Sequence, residues 1–161
     1  TTRNALIADL LVSYLGMDTD SPLERMKSAH PGISRIAATP EQYELAGSVW
    51  IRASLADSLD YRVVVDGVQK ELDAIAEKGI PASDLSRMKI SYQSGYVDMY
   101  YDVNFLGEML AFNYLERGDA SRVNRILEEY DGITVEDVKR VARHYFTPGN
   151  RKILLINPKK E

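Results

Sequence analysis

The apolar residues of the chain recur at two different spacings, and the change from one to the other separates predicted helices from predicted strands. Apolar side chains every three or four positions over residues 6–15 predict a first helix that ends at Gly16. The run Ser21-Pro22-Leu23-Glu24 places a serine, a proline and a glutamate where a helix start prefers them. We therefore expect a second, short helix, which ends at His30-Pro31-Gly32.

The spacing then changes to two, which is typical of strands. Residues 33–38 predict one strand, Thr39-Pro40-Glu41-Gln42 a turn, and residues 43–54 a second strand with one buried face. Gly47 is a candidate bulge in the second strand. Trp50 breaks the alternation, which indicates that the other face is partly covered. Two strands joined by a short turn form an antiparallel pair.

Helical spacing returns after this hairpin and persists almost to the end of the chain. Five further helices are predicted, and their periodic apolar positions span residues 64–75, 85–99, 105–114, 123–130 and 138–145. A final strand is expected at residues 152–156, where it should join the sheet of the hairpin. The predicted class is α+β, an antiparallel sheet with helices packed on one face. Because no linker interrupts the pattern, residues 1–161 are interpreted as a single domain.

Composition and charge exclude several classes of function. The formal net charge is -4, whereas a nucleic-acid-binding domain normally has a basic face, so no nucleic-acid partner is expected. The chain has no cysteine, which excludes disulfides and thiolate metal ligands. Its apolar runs, such as Ile153–Ile156, are far shorter than a membrane span, so we expect no membrane span. A soluble protein of the bacterial cytoplasm or periplasm is the expectation.

Few side chains suggest chemistry. The two histidines, His30 and His144, are far apart in sequence and lie near predicted helix ends, where a cation is favourable, so no metal ligand and no catalytic residue is predicted. Tyr92, Tyr96 and Tyr100 recur every four residues on one predicted helix. Such a stripe could line a peptide-binding surface or form an ordinary packing face between helices. These three tyrosines are the candidate substrate-binding residues.

Short phrases at the junctions of the predicted elements resemble the insulinase/pitrilysin/mitochondrial-processing-peptidase family of zinc metallopeptidases. They follow the order of that family and together span nearly the whole chain. The phrases are Leu15-Gly16 with Ser21-x-Leu23 and Gly32; Glu71-Leu72-x-x-Ile75-x-x-x-Gly79-Ile80 with Asp84-Leu85 and Lys89; and Gly132-Ile133-Thr134-Val135-Glu136-Asp137-Val138 with Val141-Ala142, Tyr145-Phe146 and Asn150-Arg151.

The resemblance implies a processing-peptidase-like domain that pairs with similar domains to enclose a peptide substrate. In this family one domain carries the zinc motif H-x-x-E-H, which is absent from this sequence. The chain is therefore expected to be a non-catalytic domain, inactive alone and without its opening strands and helix. Zinc is expected in the catalytic domain of the parent protein. The expected partners are other domains of the same polypeptide or a homologous subunit. The alternative is a scaffold subunit of the same fold that has lost peptidase activity.

One substrate-holding feature of the family is not matched here. Active relatives contribute an arginine and, seven positions later, a tyrosine from a distant domain. When the phrases are aligned on Ser21, Leu23 and Gly32, these positions hold Ser28 and Arg35. A gapped alignment recruits Arg25 or Arg35 as the arginine, but no tyrosine follows at the required spacing. Neither role is therefore assigned.

Overall fold

The computed structural model describes residues 2–16, 18–43 and 46–157. It contains a helix pair, a β-hairpin and then a series of helices. The helices are α1 (Thr2–Gly16), α2 (Pro22–Ala29), α3 (Arg62–Lys78), α4 (Ala82–Tyr100), α5 (Val103–Arg117), α6 (Ile126–Asp131) and α7 (Val135–Tyr145). The strands are β1 (Ile33–Gln42) and β2 (Gly47–Leu55). Short 3-10 helices span Ala120–Asn124 and Pro148–Asn150. The α+β class predicted from the sequence is confirmed.

The two strands pair antiparallel, and α1 and α2 pack on β1. The first strand is longer than predicted, because residues 39–42 continue it and pair with residues 47–50. The prediction of a turn at Thr39-Pro40-Glu41-Gln42 was therefore wrong. Proline is tolerated here because each strand of a two-stranded sheet has an open edge that requires no N–H donor. Gly47 pairs with Gln42 instead of forming a bulge, and the ladder is irregular between Ile33 and Arg35.

The final strand predicted at residues 152–156 is not present in the structure. Residues 151–157 form neither helix nor strand, and the side chains from Ile153 to Ile156 are exposed. A strand is held by a backbone ladder to a neighbour, and neither β1 nor β2 pairs with this segment. The period-two pattern of residues 152–156 indicates an extended segment but does not show that a neighbouring strand is available to pair with it.

The hydrophobic core is shared among the elements, with α1 and α3 the largest contributors and further side chains from β1, α2, α4, α6 and α7. Buried side chains of α1 meet those of the following elements in one cluster, which includes Leu6, Ile7, Leu10, Leu11, Leu15, Leu23, Ile36, Val68, Leu72, Met88, Tyr130, Val138 and Val141. The chain reverses between α3 and α4 at Gly79, whose φ of 79° is a left-handed conformation suited to glycine. An added Cβ there would lie 2.4 Å from Val135 Cγ1, so the helix junction requires this residue.

Candidate functional site

The predicted tyrosine stripe lies on α4, where all three side chains are half-buried. Tyr92 stacks on Tyr130 of α6 with ring centroids 4.8 Å apart, and Tyr96 contacts the same ring at 6.2 Å. The Tyr100 hydroxyl donates a hydrogen bond to the carbonyl of Val123 at 2.5 Å. The stripe therefore fastens α4 to residues 120–131, as the packing interpretation expects. Substrate binding by Tyr92, Tyr96 and Tyr100 stays a prediction.

The cavity found behind the stripe is too small for a peptide side chain. The cavity between α4 and α5, lined by Tyr96, Tyr100 and Val123 among others, has a volume of about 10 Å³. This is about the volume needed to hold a single water molecule, and its lining is apolar. A substrate that contacts these tyrosines would have to lie on their exposed edges.

A half-buried polar cluster shares Tyr92 with the stripe and connects five elements. Asp9 of α1 accepts a hydrogen bond from the Gln42 side-chain amide at 2.6 Å and lies 3.5 Å from the Tyr130 hydroxyl. Arg117 of α5 donates to the Gln42 side-chain oxygen at 3.2 Å. The Tyr92 hydroxyl lies 3.4 Å from the Asp9 backbone carbonyl. We define Asp9, Gln42, Tyr92, Arg117 and Tyr130 as the Asp9 cluster.

The environment of the cluster changes the acidity of its members. Burial raises the pKa of Asp9 to about 6, although the hydrogen bonds from Gln42 and Tyr130 and the charge of Arg117 oppose the shift. Burial and the Asp9 carboxylate raise the pKa of Tyr130, and for the same reasons the pKa of Tyr96, which lies beside the cluster, rises to about 12. The cluster thus contains a carboxyl that titrates just below neutral pH, held among tyrosines that stay protonated.

Sequence reasoning missed Asp9 as a residue of interest. Its only indication is a polar side chain within the apolar repeat of α1, with Ser13 four residues later. Ser13 is buried, and its hydroxyl lies 2.9 Å from the Tyr92 hydroxyl. The other partners, Gln42 and Arg117, come from distant parts of the sequence. Local pattern could not have brought them together.

The histidines are placed at helix ends. His30 is the C-cap of α2, and its Nδ1 lies 3.0 Å from the Met26 carbonyl. His144 lies in the last turn of α7, edge-on to the ring of Tyr145. In the part of the chain that the structure describes, no group of three or more histidine, aspartate or glutamate side chains could hold a metal ion. These residues do not fit a zinc site of the family's type.

The positions aligned with the family's arginine and tyrosine lie outside the Asp9 cluster. Ser28 is in α2 and Arg35 is an exposed residue of β1. Arg25 donates to the backbone carbonyl of Asp20, next to the start of α2. No tyrosine completes an arginine–tyrosine pair at the family spacing. Within the described ranges, no helix is both long enough and apolar enough to cross a membrane.

Comparison with known proteins gives a fold relationship without a sequence match. No model of a protein family matches the chain, and no curated protein sequence matches it. The inactive peptidase domain of a proposed zinc protease from Bordetella parapertussis superposes with a TM-score of 0.82 at 17% identity, over 98% of this chain and 86% of that one. A protease from Helicobacter pylori gives 0.78 at 18% identity, over 90% of this chain and 35% of that one.

A third structure extends the relationship to a larger protein. The periplasmic protease PqqL from Escherichia coli gives a TM-score of 0.74 at 12% identity, over 88% of this chain and 15% of that one. Domains of this fold are thus parts of longer chains in the Helicobacter and Escherichia proteins. Identities this low establish the fold and nothing finer. The chain therefore has the fold of domains that occur in bacterial proteases, among them an inactive peptidase domain.

Proposed function

We propose that the chain is a non-catalytic domain of a zinc metallopeptidase of the insulinase/pitrilysin/processing-peptidase family. One observation carries this proposal: 98% of the chain superposes on an inactive peptidase domain of a proposed zinc protease. The phrases over residues 15–32, 71–89 and 132–151 support it independently, because they were identified from sequence alone. The missing H-x-x-E-H motif and the two separated histidines agree with a non-catalytic role.

The domain helps to enclose and position a peptide while another domain supplies the zinc site. The small share of the Helicobacter and Escherichia chains that it covers supports a place within a larger protein. Its partners are then other domains of the same polypeptide or a homologous subunit, and its parent binds zinc. The periplasmic neighbour favours the periplasm as the compartment.

Removing the domain from the polypeptide that carries it tests this role. Full-length protein and a version lacking residues 1–161 would be compared for zinc content and for chelator-sensitive cleavage of an unstructured peptide. We expect zinc to be retained and the KM for the peptide to rise by about tenfold or more, because the domain contributes to substrate positioning. Unchanged kinetics would contradict the proposal. A full-length protein that neither binds zinc nor cleaves peptides would favour the scaffold alternative.

A further inference from the structure

The β-hairpin has one face that no helix of the described chain covers. Cross-strand partners share a face, and the pairs on this side are Arg35–Ser54, Ala37–Arg52, Thr39–Trp50 and Glu41–Ser48. The opposite side carries Ile36, Ala38 and Ile51, which belong to the core or pack against it. We call the side formed by residues 35, 37, 39, 41, 48, 50, 52 and 54 the outer face. Trp50 lies on the outer face and is 42% exposed. The sequence pattern predicted that this side is partly covered, but none of the described residues covers it.

Glu41 holds the large side chains of the outer face in place. Its Oε2 accepts hydrogen bonds from Trp50 Nε1 at 2.9 Å and from the Tyr43 hydroxyl at 3.3 Å. Its Oε1 lies 3.5 Å from Arg52 Nη2, and the Arg52 guanidinium lies 5.2 Å from the centre of the Trp50 ring. Tryptophan, tyrosine and arginine are the residue types that dominate binding hot spots. Because one carboxylate already orients them, little conformational entropy is lost when a partner binds.

The charge of the outer face is opposite to that of the whole chain. Arg35 and Arg52 outnumber Glu41 on this face, whereas the formal net charge of the chain is -4. Arg35 is exposed, and across the described ranges its side chain makes no ion pair within 4 Å. An occupant of complementary charge is therefore acidic, and the rings of Trp50 and Tyr43 add apolar contact area. The carboxylate of Glu41, which contacts both Trp50 and Arg52, disfavours the closely spaced phosphates of a nucleic acid.

We propose that the outer face binds an acidic, extended segment of the peptide substrate, with Arg35 and Arg52 pairing with neighbouring carboxylates and Trp50, one pair further along the hairpin, packing on an apolar side chain. That this peptide is the substrate of a peptidase rests on the proposed function, whereas the binding of an acidic peptide can be measured on this chain alone. An extended peptide suits this surface because its side chains, like those of a strand, point alternately to opposite sides, so every second one can contact the outer face.

Trp50 is the only tryptophan, so its fluorescence reports directly on the outer face. The chain would be titrated with a short unstructured peptide rich in glutamate with one phenylalanine, and with a matched peptide in which lysine replaces each glutamate. We expect saturable fluorescence change with the acidic peptide, weakened by added salt, and none with the lysine peptide. R35Q should weaken binding by about tenfold without altering the fluorescence of the free chain, since Arg35 does not touch Trp50.

Arg62→Gln is the control for removing one exposed arginine outside the outer face. Like Arg52, Arg62 lies over an aromatic ring, that of Tyr61 at 5.5 Å, and pairs with a carboxylate, that of Asp60 at 3.1 Å. Its replacement should leave peptide affinity unchanged. The proposal is overturned if R35Q and the natural chain bind the acidic peptide equally well, or if the two peptides bind equally. It is also overturned if an oligothymidylate, as a nucleic-acid probe, binds more tightly than the acidic peptide. A Trp50 fluorescence change that depends on the concentration of the chain and not on the peptide would likewise overturn it, because it would report self-association.

The two proposals can fail separately. If the acidic peptide does not bind but the parent protease requires residues 1–161, only the outer-face assignment is lost. If the parent has no protease activity, peptide binding to the isolated chain can still be measured.

Discussion

Tyr92 lies nearly parallel to Tyr130, with ring centroids 4.8 Å apart and planes inclined by 19°. This stack joins α4 to α6 beside the Asp9 cluster, and the Tyr130 ring is only 2% exposed. The hydroxyl of Tyr92 lies 2.9 Å from that of Ser13, so the same side chain also contacts α1. The predicted tyrosine stripe thus has a clear structural role at its first position.

Tyr92→Ala should therefore destabilise the chain by about 2–3 kcal/mol, through lost stacking and lost buried area. Tyr101→Ala is the control, because Tyr101 is 88% exposed and its loss should cost less than about 0.5 kcal/mol. Urea denaturation of both variants measures the difference. Equal losses for the two variants would show that the stack does not contribute to stability.

Asp9 should make the chain more stable as the pH falls from neutral. Burial raises its pKa to about 6 in the folded state from an ordinary value of 3.8, so the folded state binds the proton more tightly than the unfolded chain does. The free energy of unfolding therefore rises as the pH is lowered through about 6 and levels off below about 4, by at most about 3 kcal/mol from this group. Above about pH 7 this contribution is absent.

Asp9→Asn should remove that pH dependence while keeping an oxygen acceptor for Gln42. The difference between the denaturation free energies of the two chains, measured from pH 4 to pH 8, isolates Asp9 from other acids. Asp137 is the important background group, since the hydrogen bonds from Arg3 and Thr134 outweigh desolvation and lower its pKa to about 2. A constant difference across the range would contradict the assignment to Asp9.

The N-terminal caps of α2 and α7 should differ in strength. The Ser21 hydroxyl accepts from the Glu24 amide at 3.5 Å, a long bond, and Ser21→Ala should cost on the order of 1 kcal/mol at most. Thr134 and Asp137 form a complete capping box, with bonds of 3.2 and 3.1 Å. Thr134→Ala should cost about 1–2 kcal/mol.

Thr147 supplies the control for both caps, because it precedes a 3-10 helix at the N-cap position and makes no side-chain cap bond. Thr147→Ala should change stability by less than about 0.5 kcal/mol. If all three variants lose the same free energy in thermal or chemical denaturation, capping does not explain the preference for these residues.

The isolated chain should associate with itself or with neighbouring domains. Exposed apolar side chains lie on α5, where Val103, Tyr114 and Leu115 are 79%, 64% and 73% exposed, and along Ile153–Ile156. Tyr101 is also exposed, whereas Tyr100 is held by its bond to Val123. Large apolar side chains that are exposed to this extent favour contact with another protein surface. Light scattering over a wide concentration range should detect oligomers, and Leu115→Glu should reduce them; a monomer at every concentration would refute the expectation.

The starts of α2 and α7 were predictable because local residues encode them, whereas the single helix predicted at 123–130 is a 3-10 helix, Ala120–Asn124, followed by α6. Ser21 and Thr134 accept their hydrogen bonds from amides three residues away, so the capping patterns could be identified without a fold. The hairpin turn was misplaced because register depends on pairs such as Thr39–Trp50, which local pattern does not specify. The predicted strand at 152–156 failed for a related reason, since an apolar run becomes a strand only beside a partner edge. The Asp9 cluster unites residues more than 30 positions apart, beyond any local pattern.

The zinc content of the native polypeptide or complex that contains this chain, isolated through a tag on the chain, is the most direct test of a non-catalytic domain in a zinc peptidase. We predict one zinc ion for each copy of a catalytic domain, chelator-sensitive cleavage of an unstructured peptide, and no zinc or cleavage when the chain is purified alone. Stoichiometric zinc and cleavage in the isolated chain would contradict the non-catalytic assignment. A native assembly with neither zinc nor cleavage would contradict the peptidase assignment.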